Sequence, residues 1–132
     1  DVVRQSLDLT LRVICEAGFG YHLTDVEIQM FGHDLDLALR EYLSKQPMQP
    51  GRSLVAPLVP AARAANAAAR RLCAWALSIL RRHRAKPAAA REALRGTIID
   101  YIDKNPSYPS DEARADDILA FLVAGHDTTA YT

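Results

Sequence analysis

The sequence predicts an all-α chain of about five helices. Apolar residues recur at three- and four-residue spacing along most of its length. Alternation of period two is absent over any useful length, so no strand pattern survives. Glycine, proline and hydroxyl residues fall where such helices would stop or start.

Val3, Leu7, Leu11, Ile14 and Gly18 share one helical face, with Arg4, Asp8 and Arg12 on another. Gly18 and Gly20 are placed to stop this helix. Thr24 or Asp25 can cap a second helix, whose apolar face is Ile28, Phe31, Leu35, Ala38 and Tyr42 and which ends before Pro47. The stretch QPMQPGRSLVAPLVP follows, with prolines at 47, 50, 57 and 60. Proline at that density forbids a long helix and favours an extended or turning loop. A third helix, rich in Ala and Arg, is predicted from roughly Ala61 to Arg84. Its apolar face is Ala65, Ala68, Leu72, Ala76 and Ile79, with Trp75 and Leu80 at the margins. A short fourth helix runs near Arg91 to Lys104 until NPSYP breaks it. Ser110 caps a fifth, with Asp111 and Glu112 in the first turn, where they oppose the positive helix end.

At 132 residues, 49% of them hydrophobic, the chain has the size and apolar content of a single domain. Lys plus Arg and Asp plus Glu number 16 each, so no bulk field recruits nucleic acid or anionic lipid. The charge is uneven: between Ala61 and Gly96 the only acid is Glu92, while Arg70, Arg71, Arg81, Arg82, Arg84 and Lys86 cluster. Trp75 is the one aromatic nearby, too few for a stacking surface, so this helix reads as a solvated face and no nucleic-acid partner is expected. Cys15 and Cys73 both lie in amphipathic helices and read as small buried hydrophobes. No apolar run is long enough to span a membrane. The start at Asp1, and an end inside a helical pattern, suggest an internal piece of something longer.

The last stretch, FLVAGHDTTAYT, admits two readings. In one, Gly125 caps the end of the fifth helix and Asp127 or Thr128 starts a turn. In the other the helix continues. Ala124 and Thr128 then share a face, and a Thr hydroxyl can bond the carbonyl four residues back and open the helix locally. Gly125 would remove a side chain from that opening, and Asp127 would stand beside it as an acid able to exchange protons. Local helix openings of this kind are frequent at functional sites.

AGHDTT, residues 124 to 129, resembles the Ala/Gly-Gly-x-Asp/Glu-Thr-Thr signature of the long central helix of the cytochrome P-450 family, the haem-thiolate monooxygenases. PSDEARADDILAFLVAGHDTT is similar to that family's whole entry into the helix. LTLRVICEAGFGYHL, residues 9 to 23, resembles the family's helix E. The second and third helices and their proline-rich connection fit helices F and G and the lid between them. The resemblance thus implies residues 1–132 of a partial cytochrome P-450 domain, from about helix E to the middle of helix I.

That resemblance implies a haem cofactor, dioxygen, a small and apolar organic substrate, and an electron-donating reductase or ferredoxin. It gives Thr128 the hydrogen bond to the oxygen being activated and Asp127 the supply of protons. Ala124 and Gly125 would line the groove over the cofactor, Ala120, Phe121 and Val123 the substrate pocket, while Thr129 would be structural. In membrane-bound members the lid dips into the bilayer, which implies membrane contact through the 47–60 loop. The family's axial Cys loop has no match here, and its helix K Glu-x-x-Arg pair is expected beyond residue 132, so no metal ligand is expected within this chain. Two other classes stand beside this reading: a non-enzymatic helical interaction or membrane-surface module, and a His-Asp metal phosphohydrolase. The latter would use the doublets at His126–Asp127 and His33–Asp34. His22 and His83 lack matching acids nearby in the sequence, and His33 reads as a helix-surface residue.

Overall fold

The computed structural model describes residues 2–44 and 60–128, apart from the side chains of 41–44, 127 and 128. It is all-α: α1 (Val2–Phe19), α2 (Asp25–Ser44), α3 (Pro60–Ala85), α4 (Ala88–Ala93), α5 (Ile98–Lys104) and α6 (Asp111–Thr128). No strand occurs among the described residues. The expected proline-rich loop falls at residues 45–59, outside the described residues. Two compact units divide the chain, one formed by Asp1–Ile28 with Cys73–Thr132 and the other by Gln29–Leu72.

In the first unit α1 packs on α5 and α6, and α5 packs on α6. The α1 face read from the sequence is graded along the helix: Val3 is exposed, Leu7 and Ile14 are half-buried, and Leu11 and Gly18 are buried. Gly18 lies inside the helix rather than ending it. An added Cβ there would stand 3.1 Å from Ile98 Cδ1, so the missing side chain lets α5 come close. Gly20 ends the helix in the left-handed region at φ 58°. Its N–H donates to the Glu16 carbonyl at 3.1 Å, and the Tyr21 N–H reaches back to Cys15 O at 2.9 Å. A Cβ on Gly20 would fall 2.5 Å from Leu94 Cδ1. Gly20→Ala therefore combines a left-handed non-Gly residue with overpacking and should cost about 2 kcal/mol or more. Urea unfolding monitored by far-UV circular dichroism checks this; an unchanged midpoint would refute it.

α2 opens with a reciprocal cap. Thr24 Oγ1 accepts the Glu27 N–H at 3.3 Å, while Glu27 Oε2 accepts the Thr24 N–H at 3.0 Å and the Thr24 hydroxyl at 2.9 Å. Thr24 is thus the cap, and the neighbouring Asp25 carboxylate is taken by Arg12. Glu27 also accepts from the Tyr21 hydroxyl, and from Trp75 Nε1 at 3.3 Å. Burial alone would raise the Glu27 carboxyl, but the hydrogen bonds from Tyr21, Thr24 and Trp75 outweigh it and hold the group below its ordinary value. Trp75 and Leu80, placed at the margin by the sequence reading, are both buried. The apolar arc of α3 is wider than a single stripe because Trp75 meets Tyr21 edge-on, with ring centroids 6.4 Å apart.

The fourth helix expected over Arg91 to Lys104 is two helices, so the described residues form six rather than about five. Gly96 takes φ 79° between them, which breaks any continuous helix. Its N–H donates to Asp100 Oδ2 at 3.0 Å, fixing the start of α5. α6 begins as expected, with Ser110 Oγ accepting the Ala113 N–H at 3.1 Å. Asp111 in its first turn takes Arg84 at 2.7 and 3.0 Å and Arg114 at 3.1 Å.

In the second unit Phe31, Leu35, Ala62, Ala65, Ala68 and Leu72 are buried. Asp34 is buried too, accepting Arg71 Nε at 2.9 Å and Nη2 at 2.6 Å. The basic cluster is therefore not simply a solvated face. Arg71 holds Asp34, Arg82 donates to the Tyr21 hydroxyl at 2.7 Å, Arg84 holds Asp103 and Asp111, and Lys86 Nζ donates to Gly20 O at 2.6 Å.

Candidate functional site

α6 continues through Gly125 to Thr128, so the helix does not end at the glycine. Its packed side is set by Ala115, Ile118 and Leu122, all buried. Full burial of Ile118 and Leu122 contributes about 2 kcal/mol each. Gly125 belongs to this side. A Cβ on it would come within 2.0 Å of Ile14 Cδ1, so its missing side chain is filled by α1. Ala120 and Ala124 are exposed, Phe121 is 47% exposed, and Val123 is half-buried. Positions 120, 121 and 124 form one open face, on the side of the helix away from Ile118 and Leu122. Asp127 and Thr128 are the last two residues of α6, with side chains outside the described residues; Thr129 lies outside them entirely.

Of the two residues expected to line the oxygen-side groove, Ala124 is on the open face and Gly125 is turned toward α1. Of the three expected substrate-pocket residues, Ala120 and Phe121 share the face of Ala124, and Val123 stands at its edge. The result is a flat strip of small residues flanked by one aromatic ring, on a helix anchored from behind. Such a strip can lie against a planar or apolar ligand.

Neither cysteine presents a thiolate. Cys15 is fully buried, and its thiol is pushed up to about 12 by burial, with Glu27 and Glu16 adding. Cys73 is half-buried rather than a core residue. It stands at the edge of α3, where its thiol donates to Asp116 Oδ1 at 3.7 Å, and burial and that carboxylate raise it too.

The histidines depart from their reading in two places. His22 Nδ1 lies 2.9 Å from Glu16, and His83 Nε2 lies 3.8 Å from Asp103, so both do have an acid beside them. His33 is on the helix surface as expected, while Asp34 is buried against Arg71, so that doublet is split. Among the described residues no group of three His, Cys, Asp or Glu could hold a metal ion. No helix among them is long and apolar enough to cross a membrane. Loop residues 47–59, expected to touch a membrane, lie outside the description.

Sequence reading missed the Tyr21, Glu27, Trp75 and Arg82 network, although TDVE, residues 24 to 27, carries the capping-box pattern that marks its first half. It also missed the surroundings of His83. No protein-family model, curated protein or solved structure matches the chain.

Proposed function

We propose that this chain is part of a haem-dependent monooxygenase, with α6 as the helix on the oxygen side of the cofactor. The observation that carries the reading is the AGHDT stretch inside an unbroken helix whose open face is Ala120, Phe121 and Ala124. Small side chains at 120 and 124 would let a macrocycle and its substrate approach the helix, and Phe121 would add an apolar wall. On this reading the chain would flank the cofactor without ligating it, since the Cys15 and Cys73 thiols are both raised and would stay protonated. Haem would supply the oxidising chemistry, and the chain supplies position and protons.

Within that division the Thr128 hydroxyl would serve as the hydrogen-bond donor toward the oxygen. Asp127 takes protons from solvent and passes them inward. Ala124 leaves room for the oxygen, and Gly125 secures the rotation of the helix through Ile14. Electrons arrive from a reductase or ferredoxin, and the substrate is a small apolar organic molecule.

Reduction of the full-length protein under carbon monoxide tests the reading. A strongly red-shifted Soret band, the mark of thiolate-ligated haem, is expected. The 132-residue chain mixed with haem should give none, because both its thiols are held protonated. Absence of the band from the full-length protein would leave the second reading, a helical interaction module. That reading is favoured by the exposure of Val2, Leu9 and Val13 along the outer side of α1.

A further inference from the structure

Under α4 lies a pocket of about 210 Å³ lined by His83, Arg91, Glu92, Asp100, Asp103 and Lys104. His83 is 2% exposed, and its Nδ1 is buried with no hydrogen-bond partner. Its Nε2 stands 3.8 Å from Asp103 Oδ2, beyond hydrogen-bonding distance. A buried imidazole with one nitrogen orphaned and the other loosely faced is costly to keep. The helix that covers it is weakly held. None of the six residues of α4 is buried, Pro87 stands at its start, and Gly96 at φ 79° forms a turn just beyond it.

We propose that α4 is an acid-released lid over His83, closed while the imidazole is neutral and opened when it takes a proton.

Every charged group around the ring bears on this. From α5, Asp103 attracts an imidazolium, but its Oδ1 is already held by Arg84 at 2.6 Å. Asp100 is committed to Lys104 at 2.7 Å and to the Gly96 N–H at 3.0 Å. From α4, Arg91 repels a cation, and Glu92 is drawn to Arg95 at 3.1 Å. From the connection after α3, Lys86 repels as well. Burial is the largest effect, and it lowers the proton affinity of His83. The closed form therefore binds the proton less tightly than an open form in which water reaches the ring. Above the ordinary histidine value of ~6.5 both forms are neutral and the lid is indifferent to pH. As pH falls through that value the open form gains protons first, and the equilibrium moves toward it. Opening would lift Leu94 from Gly20, where a Cβ would already collide with it, and wet the pocket.

Amide hydrogen exchange of the whole chain at about pH 7.5 and about pH 5.5, either side of the free histidine value, tests this. After correction for intrinsic exchange, the amides of Arg91, Leu94 and Arg95 should lose protection by up to about tenfold, the limit set by how far pH 5.5 lies below the free histidine value, while those of Leu11 and Cys15 hold. His83→Gln should abolish the change, and His22→Gln, at the other partly paired imidazole, should retain it. Equal protection of α4 at both pH values, or an unaltered response in His83→Gln, would overturn the proposal. Should His83→Gln fail to fold, the NMR titration of the His83 ring decides: a midpoint below free histidine supports the lid, and one at or above it refutes it.

Discussion

Thr128→Ala in the full-length protein should leave reducing equivalents being consumed while product falls and hydrogen peroxide rises. Substrate binding should survive, because on the proposed reading Ala120, Phe121 and Val123, not Thr128, contact the substrate. What is lost is the hydroxyl that directs a proton to the correct oxygen. Asp127→Asn should behave differently. It removes a group that exchanges protons, so turnover itself should slow, with coupling less affected. One positioned proton-transfer group is worth on the order of 10²–10⁴-fold, and since water can replace it in part, the lower end is expected. Product and peroxide per reducing equivalent, measured for both variants, separate the two roles. Full coupling in Thr128→Ala would reduce Thr128 to a residue that only bends the helix.

The largest expected change in stability follows loss of Arg71. Its guanidinium donates twice to Asp34, a carboxylate that is 1% exposed. Arg71→Ala strands that carboxylate in the interior. An uncompensated buried charge costs about 3–5 kcal/mol; the low end is expected here, since a half-exposed arginine leaves a channel for water when it goes. Asp34→Ala should cost less, because Arg71 can then turn to solvent. Denaturant midpoints for the two single variants and the double variant measure the asymmetry. Equal losses in the two single variants would contradict it.

The helices were legible because burial imposes a period on the sequence. Leu11, Phe31, Ala68, Leu72, Ala76 and Ile79 stand at helical spacing, and all are buried. The caps at Thr24 and Ser110 were legible because they act within three residues. The break at Gly96 was not, since Leu94, Ile98, Ile99 and Ile102 carry an apolar pattern straight across it, and a positive φ leaves no mark on that pattern. The fate of the arginines was hidden for a different reason. Arg71 and Arg82 find partners 37 and 61 positions away, so each pairing exists only once α3 has met the segment that carries Asp34 or Tyr21. At the candidate site the open face of Ala120 and Ala124 followed from spacing. That Gly125 meets α1 did not, because it depends on which helix lies alongside.

That meeting of Gly125 with Ile14 works as a detent. A residue with any side chain at 125 would drive against the tip of Ile14, so either that tip swings aside or the helix turns about its axis or backs away. Each residue of turn is about 100°. A small rotation there would swing Ala120, Phe121 and Ala124 off their common outlook and bring a different set forward. The identity of the surface that α6 offers is thus written partly on another helix. Positions 14 and 125 form a single steric unit, in which bulk gained on one side has to be surrendered on the other, and lineages that alter one are expected to carry a matching change in its mate.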